Sequence, residues 1–197
     1  MHVRGVHAES SIPVLRQLVR DNPLGMLITG VSSDEHAFLQ ASHIPFLLDV
    51  DDESGETELG RLRGHLARQN PQSKAVVDAL KRPDKPASGS NVLEQEVPVI
   101  FTANVQHYVT PRFYVETKPT TAKVVPTWNY AAVQVYGRAT VYFDGPETSA
   151  FLSKQIDDLS HHTETSIMNY TGVGDRPGPW KVEQAPERYI ELMKRNV

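Results

Sequence analysis

The fold is decided by residues 123–143, which read KVVPTWNYAAVQVYGRATVYF. From Val133 onward the chain alternates, and one side of the alternation carries Val133, Val135, Gly137, Ala139, Val141 and Phe143. A period of two in β-branched and aromatic residues predicts a long strand with one face on a core. Gly137 in the middle of this strand predicts a bend or bulge, as a closing barrel requires.

The segments on either side of this strand predict further strands and several helices. Ser10 or Ser11 begins a helix with Pro13 in its first turn, where a missing amide proton is harmless. Apolar, β-prone segments predict strands at 24–31, 37–48, 58–65 and 96–103, and helical spacing predicts helices at 66–81, 146–162 and 187–194. The polar, turn-rich residues 81–91 predict a mobile loop. Together these elements predict one α+β domain over residues 1–197, built on an antiparallel barrel with flanking helices.

Composition favours an ordinary soluble protein. The 197 residues are 39% hydrophobic, with a net charge of −4 and a pI of about 6.1. A nucleic-acid surface usually shows a domain pI above about 9 or a clustered basic face, so direct DNA binding is not supported. The chain has no cysteine, which excludes disulfides and thiolate metal sites, and no apolar run approaches the roughly 18 residues of a membrane span. The sequence therefore predicts a cytoplasmic protein without a membrane segment.

The densest polar cluster is RGHLARQNP, at residues 63–71. It lies where a predicted strand enters a predicted helix, and Arg63, His65 and Arg68 suit an anion there, because amides at a helix start point outward and guanidinium groups bind phosphate bidentately. Gly64 would let the backbone approach such a ligand closely. A solvated strand-to-helix corner would carry the same residue types, so the cluster alone does not decide between the two interpretations.

The histidines do not form a recognisable metal site. A lone histidine in an apolar strand, as at His43, is usually a hydrogen-bonded core residue, although His43 and His65 fall on neighbouring predicted strands and would meet at one barrel rim. No two of His43, His65 and His107 have helical ligand spacing, and no carboxylate accompanies them, so the sequence predicts no metal. No nucleophile elbow is present, and no catalytic residue can be named.

Aromatic and amide groups come just before the long strand. Pro126 begins a predicted rigid turn that carries Trp128, Asn129 and Tyr130. These three side chains would offer a planar ligand a flat apolar surface beside hydrogen-bonding groups. The alternative is that Trp128 and Tyr130 cap the core.

Long segments of the chain resemble the PaiB family of FMN-binding negative transcriptional regulators. The resemblance lies in ASHIPFLLD at 41–49, LRGHLARQNPQ at 62–72 and KVVPTWNYAAVQVYGR at 123–138, with further matches at 22–25, 179–180 and 185–190. The segments follow in the same order through nearly the whole chain, and the block around Trp128 is long and unusual.

The resemblance implies a split β-barrel that binds FMN, usually as a homodimer with the flavin at the subunit interface. On this chain the residues that would hold the phosphate end are Arg63, Gly64, His65 and Arg68. Those that would line or border the flavin are His43, Trp128, Asn129 and Tyr130, with Lys123 as a further anion partner. The division between phosphate and ring follows charge and shape. The alternatives are a flavin-dependent reductase or oxidoreductase, and a barrel that has exchanged FMN for haem or another planar ligand.

Three features depart from the family pattern, and the first is that the loops at 32–35, 49–58 and 81–91 look enlarged. Family members commonly carry a serine and a tryptophan where this chain has Arg112 and Phe113, so this loop is expected to have a different role. Relatives generally continue beyond the position of Val197 into another strand. If such a tail contributes to the flavin pocket, its absence from these residues would weaken FMN binding.

Overall fold

The computed structural model describes residues 3–82 and 91–197. The α-helices in this part of the chain are α1 Ile12–Asp21, α2 Pro71–Leu80, α3 Thr117–Thr121, α4 Pro146–His162 and α5 Glu187–Lys194. The strands are β1 Leu24–Gly30, β2 Leu39–Pro45, β3 Leu47–Asp49, β4 Arg61–Arg63, β5 Val97–Thr102, β6 His107–Val109, β7 Thr127–Asn129 and β8 Ala132–Gly137. No helix within these two ranges is both long enough and apolar enough to cross a membrane. Most of the predicted loop at 81–91 lies outside the described residues.

The strands form three antiparallel sheets. The largest has the order β2-β1-β5-β8, and β3–β4 and β6–β7 are separate two-stranded ribbons. The predicted α+β class with antiparallel sheets is therefore confirmed. The described strands make separate sheets rather than a closed barrel.

Strand alternation gives the four-stranded sheet two different faces. Its inner face carries Ile44, Phe101 and Val133, which pack with Val19 of α1 and with Phe46 in one buried cluster. On the opposite, outer face the side chains are half-buried or exposed and include Met26, Ile28, Leu39, His43, Ile100 and Tyr136. The inner face is thus the side of the sheet that the helices cover.

The long strand predicted up to Phe143 ends earlier, at Gly137. Its partner β5 begins at Val97, which pairs with Gly137, so regular pairing stops there. Beyond the break the chain pairs with an earlier segment, since the Leu93 amide donates to the Ala139 carbonyl at 2.9 Å. The interruption therefore comes from the partner strand rather than from a bulge at the glycine.

The turn predicted at Pro126–Tyr130 is also different in the structure, because Thr127–Asn129 forms strand β7. Trp128 pairs with Tyr108 of β6, and the Ala103 amide donates to the Ala131 carbonyl at 2.9 Å. Residues 103–131 therefore continue the β5–β8 pair beyond the sheet, and we call them the arm. Many large apolar side chains of the arm are exposed, among them Val105, Phe113, Val115, Val125, Trp128 and Tyr130.

The predicted start of α2 at Asn70-Pro71 is confirmed and is tied to the sheet. The Asn70 side chain accepts a hydrogen bond from the Gln72 amide at 2.8 Å, as an N-cap residue does. The Gln72 side chain is 1% exposed, and its Nε2 donates to oxygens of Leu27, Thr29 and Gln40. These bonds fix the first turn of α2 against β1 and β2.

Gly25 is required by close packing on the inner face. A Cβ at this position would lie 2.7 Å from Phe101 Cε1 and 2.9 Å from Phe46 Cδ2. Phe101 is fully buried and meets Phe46 edge-on, so an added methyl group would have to displace a buried ring. At Gly137, by contrast, a Cβ would meet no atom within 4 Å.

We predict that Gly25→Ala lowers the free energy of unfolding by about 1–3 kcal/mol, because overpacking displaces buried rings. Gly137→Ala is the matched control and should change it by less than about 0.5 kcal/mol. Urea unfolding of both variants measures the difference. Equal stabilities for the two variants would contradict this packing.

Candidate functional site

A cleft of about 1000 Å³ opens on the inner face of the sheet, between β4, α2, β8 and α4. Small-molecule sites usually measure about 300–1000 Å³ and are mainly apolar with a few polar groups. Most of the walls here are apolar, from residues such as Leu62, Leu66, Val97, Val133, Val135 and Leu152. The polar lining residues include Arg68, Gln72, Ser73 and Arg138. The cleft has the size and character of a ligand site.

The residues predicted from sequence to form one site are divided between two places. The cleft is lined by Arg63, Gly64, His65 and Arg68. Five others lie outside its lining: His43, Lys123, Trp128, Asn129 and Tyr130. Within one chain the structure therefore brings together the predicted phosphate group but not the predicted flavin-bordering group.

Strand geometry explains this division. Ile44 is buried on the inner face, so His43 beside it points to the outer face and is exposed. Trp128 lies on the arm, where its Nε1 donates to Gln106 Oε1 at 3.0 Å and its ring lies 6.3 Å from that of Tyr108. Within one chain, neither His43 nor Trp128 therefore reaches the cleft.

Arg63 is held by carboxylates. Its Nε and Nη2 donate to Asp49, its Nη2 lies 2.8 Å from Asp158 Oδ2, and its Nη1 lies 3.2 Å from Gln155 Oε1. Lys154 also contacts Asp158, at 2.7 Å. Two cations thus face two carboxylates, and the local charge is balanced without a ligand. Arg63 ties β4 to β3 and to α4.

Gly64 and His65 follow at the exit of β4. A Cβ on Gly64 would lie 3.0 Å from Ile44 Cδ1 and 3.1 Å from Phe46 Cδ1, so the glycine lets the chain pack on the core. Burial lowers the pKa of His65, which favours a neutral imidazole, and its Nδ1 is buried without a hydrogen-bond partner among the described residues. In residues 3–82 and 91–197, no three histidine, aspartate or glutamate side chains gather in a metal-binding group.

Arg68 is exposed and contacts main-chain oxygens. Its Nε donates to the Val197 oxygen and its Nη2 to the Phe143 oxygen, both at 2.8 Å. Neither acceptor is a side-chain carboxylate. Lys81 has the largest effect in lowering the pKa of the Asp144 carboxyl group, and Arg68 also lies close enough for its charge to lower it, so the charge of Arg68 is only partly free to attract an anion into the cleft.

Sequence reasoning missed three residues of the cleft. Arg138 is exposed at its mouth, with no hydrogen bond or ion pair to the rest of the described chain. Tyr142 and Phe151 stack there with ring centroids 4.2 Å apart and an interplanar angle of 15°. The strand alternation did show Arg138 as outward-pointing, but nothing local in the sequence connects Phe151 of α4 with Tyr142.

Comparison with known proteins identifies the family. The model of the family described as "Putative FMN-binding domain" matches residues 1–197. The chain belongs to this family. An uncharacterized protein of Aspergillus fumigatus is 54% identical over 205 residues, which cover 100% of this chain and 78% of that protein. One from Emericella nidulans is 51% identical over 200 residues (100% and 77%), and one from Saccharomyces cerevisiae is 32% identical over 152 residues (70% and 78%).

FMN is therefore the cofactor of this family member, and the cleft fits it. The isoalloxazine ring is planar and largely apolar, with polar atoms at one edge, and the phosphate is anionic. The mouth of the cleft offers an aromatic pair and two guanidinium groups that no side-chain carboxylate of the described chain contacts. Charge-assisted hydrogen bonds from arginine are strong and suit phosphate geometry.

The ion pairs of Arg63 make stability depend on pH. Burial disfavours the charged form of Asp158, but hydrogen bonds from Lys154 and Arg63 outweigh it, so its pKa lies below the ordinary value of 3.8. A group whose pKa is lowered by folding stabilises the protein above its unfolded pKa and loses this effect as pH falls through the folded one.

We predict that Asp158→Asn lowers the free energy of unfolding by roughly 1–2 kcal/mol at neutral pH, a value discounted because a third of this side chain is exposed. The difference from the parent should shrink as pH falls below the ordinary value of 3.8, where the unfolded state binds the proton first, and it should be lost as pH falls through the lowered pKa of Asp158. The neighbouring exposed Asp157→Asn is the control and should change little. Urea unfolding at neutral pH and near pH 3 measures both variants, and a pH-independent difference would contradict the role of this carboxylate.

Proposed function

We propose that the protein is a cytoplasmic, homodimeric FMN-binding protein of the PaiB-like, split-barrel type, with residues 1–197 as one domain and a regulatory output. The observation that carries the flavin proposal is the cleft itself, where apolar walls and a stacked aromatic pair meet Arg68 and Arg138, which no side-chain carboxylate of the described chain contacts. Bound FMN would supply redox chemistry, and the protein would bind and orient it.

We assign the phosphate to Arg68 and Arg138 rather than to Arg63. A phosphate near Arg63 would face Asp49 and Asp158, and would have to displace one of them from the guanidinium. Like charges at such distances repel strongly in a partly buried site. Arg138 meets no such competition in the described chain, and Arg68 meets only Asp144, to which no hydrogen bond joins it. The neutral His65, which also lines the cleft, would contribute hydrogen bonding rather than charge.

The dimer is supported by apolar surface that one chain leaves uncovered. Contiguous exposed apolar patches usually mark interaction sites, and here they occur on the arm and on the outer face of the sheet. In an isologous dimer each arm would reach the other subunit. The arm's Trp128, Asn129, Tyr130 and Lys123, together with His43 of the outer face, would then border a flavin at the interface.

A regulatory output through flavin or a protein partner agrees with the acidic net charge of −4 better than direct contact with DNA does. The alternative is a flavin-dependent oxidoreductase, favoured by a cleft at the upper end of the usual size range.

Purified protein should show flavin absorbance and elute as a dimer in size-exclusion chromatography. Slow or absent bleaching by NADH or NADPH would support the regulator, whereas rapid bleaching with turnover would support the oxidoreductase. A colourless protein that fails to quench the fluorescence of added FMN would overturn the flavin proposal in both forms.

We predict that Arg68→Ala and Arg138→Ala each weaken FMN binding roughly ten- to a hundredfold, because each removes a charge-assisted contact worth about 1.5–3 kcal/mol. Riboflavin, which lacks the phosphate, should bind both variants as it binds the parent. The control is Arg176→Ala, since Arg176 is exposed and its guanidinium donates to the side chain of Asn169, away from the cleft. Unchanged FMN affinity in both cleft variants would place the phosphate elsewhere.

A further inference from the structure

We infer that the interior of the cleft is a second binding compartment, which takes an uncharged, flat or compact apolar molecule with one hydrogen-bond donor. The inference deepens the proposed function. It rests on that proposal in one respect only, which is that the flavin binds at the mouth of the cleft. It would give the flavin protein a substrate or effector class.

The first support is that the buried residues form two clusters, which in the described chain are connected only through partly buried side chains such as Leu27. One buried cluster includes Val99 and Val133, and a second includes Val76, Leu93 and Val97. A domain of this size normally has one contiguous core. Members of both clusters line the cleft, and Leu27 packs against both, so the cleft extends beside the place where the two clusters join.

The second support is the cost of leaving this space empty. Side chains that line a void lose their packing contacts, and the cost grows with cavity volume. Water is a poor occupant, because ordered water needs several polar partners and cavities lined by aliphatic side chains stay dry. An apolar ligand would restore the missing contacts.

Exposure separates the interior from the mouth. Arg68, Arg138 and Tyr142 at the mouth are exposed, whereas Leu93 and Val97 are buried. A charged ligand group would lose its hydration among such apolar residues without gaining an ion pair. The compartment therefore selects uncharged molecules.

Gln72 supplies the polar feature of the interior. Its Nε2 already donates to three oxygens. If the amide were rotated by half a turn, Oε1 would face these three oxygens and be repelled by them, so the orientation of the amide is fixed. The remaining Oε1 is buried, with no hydrogen-bond partner among the described residues. A buried acceptor without a donor is costly, and an N–H or O–H group on the ligand would satisfy it.

The test uses 2-naphthol, which is flat, apolar and uncharged at neutral pH and carries one O–H donor. Calorimetric titration of the full chain, with and without saturating FMN, should show one site and similar affinities in both conditions. The matched probe 2-methoxynaphthalene has no donor and should bind about tenfold more weakly.

The variant Val97→Phe should fill the interior and weaken 2-naphthol binding at least about tenfold. Val6→Phe is the matched control, because Val6 is 85% exposed. If Val97→Phe fails to fold, the comparison of the two probes on the parent protein decides.

Absence of 2-naphthol binding, equal affinity for both probes, or an unaffected Val97→Phe variant would overturn the inference. Displacement of 2-naphthol by FMN would also overturn the inference, because the two ligands would then share one site. The flavin proposal would not be affected by that result. If the protein binds 2-naphthol but not FMN, the second compartment is supported and the flavin proposal fails.

Discussion

The guanidinium of Arg63, held between Asp49 and Asp158, is the interaction on which the rest of the structure depends. It joins β3, β4 and α4, which are otherwise separate in sequence, and so fixes one wall of the cleft. Burying a charge is expensive unless a partner is in place, so removal of either carboxylate leaves a penalty as well as a lost contact. A ligand that took Arg63 for itself would therefore loosen the wall that encloses it.

This constraint explains why anion recognition is better assigned to the mouth of the cleft than to its wall. Cations and carboxylates balance around Arg63, whereas Arg68 bonds only to main-chain oxygens and Arg138 bonds to nothing else in the described chain. Arg63 and Arg68 thus have different roles although they are close in sequence. One holds the fold together, and the other leaves positive charge available to a ligand.

What could be predicted from the sequence was local. The start of α2 at Asn70-Pro71 and the helix at 187–194 follow from capping and spacing within a few residues, and both are confirmed. The end of β8 could not be predicted, because it depends on where β5 begins. The role of Arg63 depends on residues more than 90 positions away, and the charge pattern of 63–71 gave no sign of them. The family resemblance led correctly to FMN, but it did not reveal that the two halves of the predicted site lie apart in one chain.

The cleft and the exposed arm have one property in common, since both present apolar surface that the folded chain leaves uncovered. Any molecule that binds only the folded state stabilises it in proportion to the logarithm of its concentration over its dissociation constant. If ligands fill the cleft and a second copy covers the arm, folding, cofactor binding and association become linked equilibria. A change in any one of them then shifts the other two, without a dedicated conformational switch. The incomplete packing of the single chain is, on this argument, what would make it responsive to its ligands.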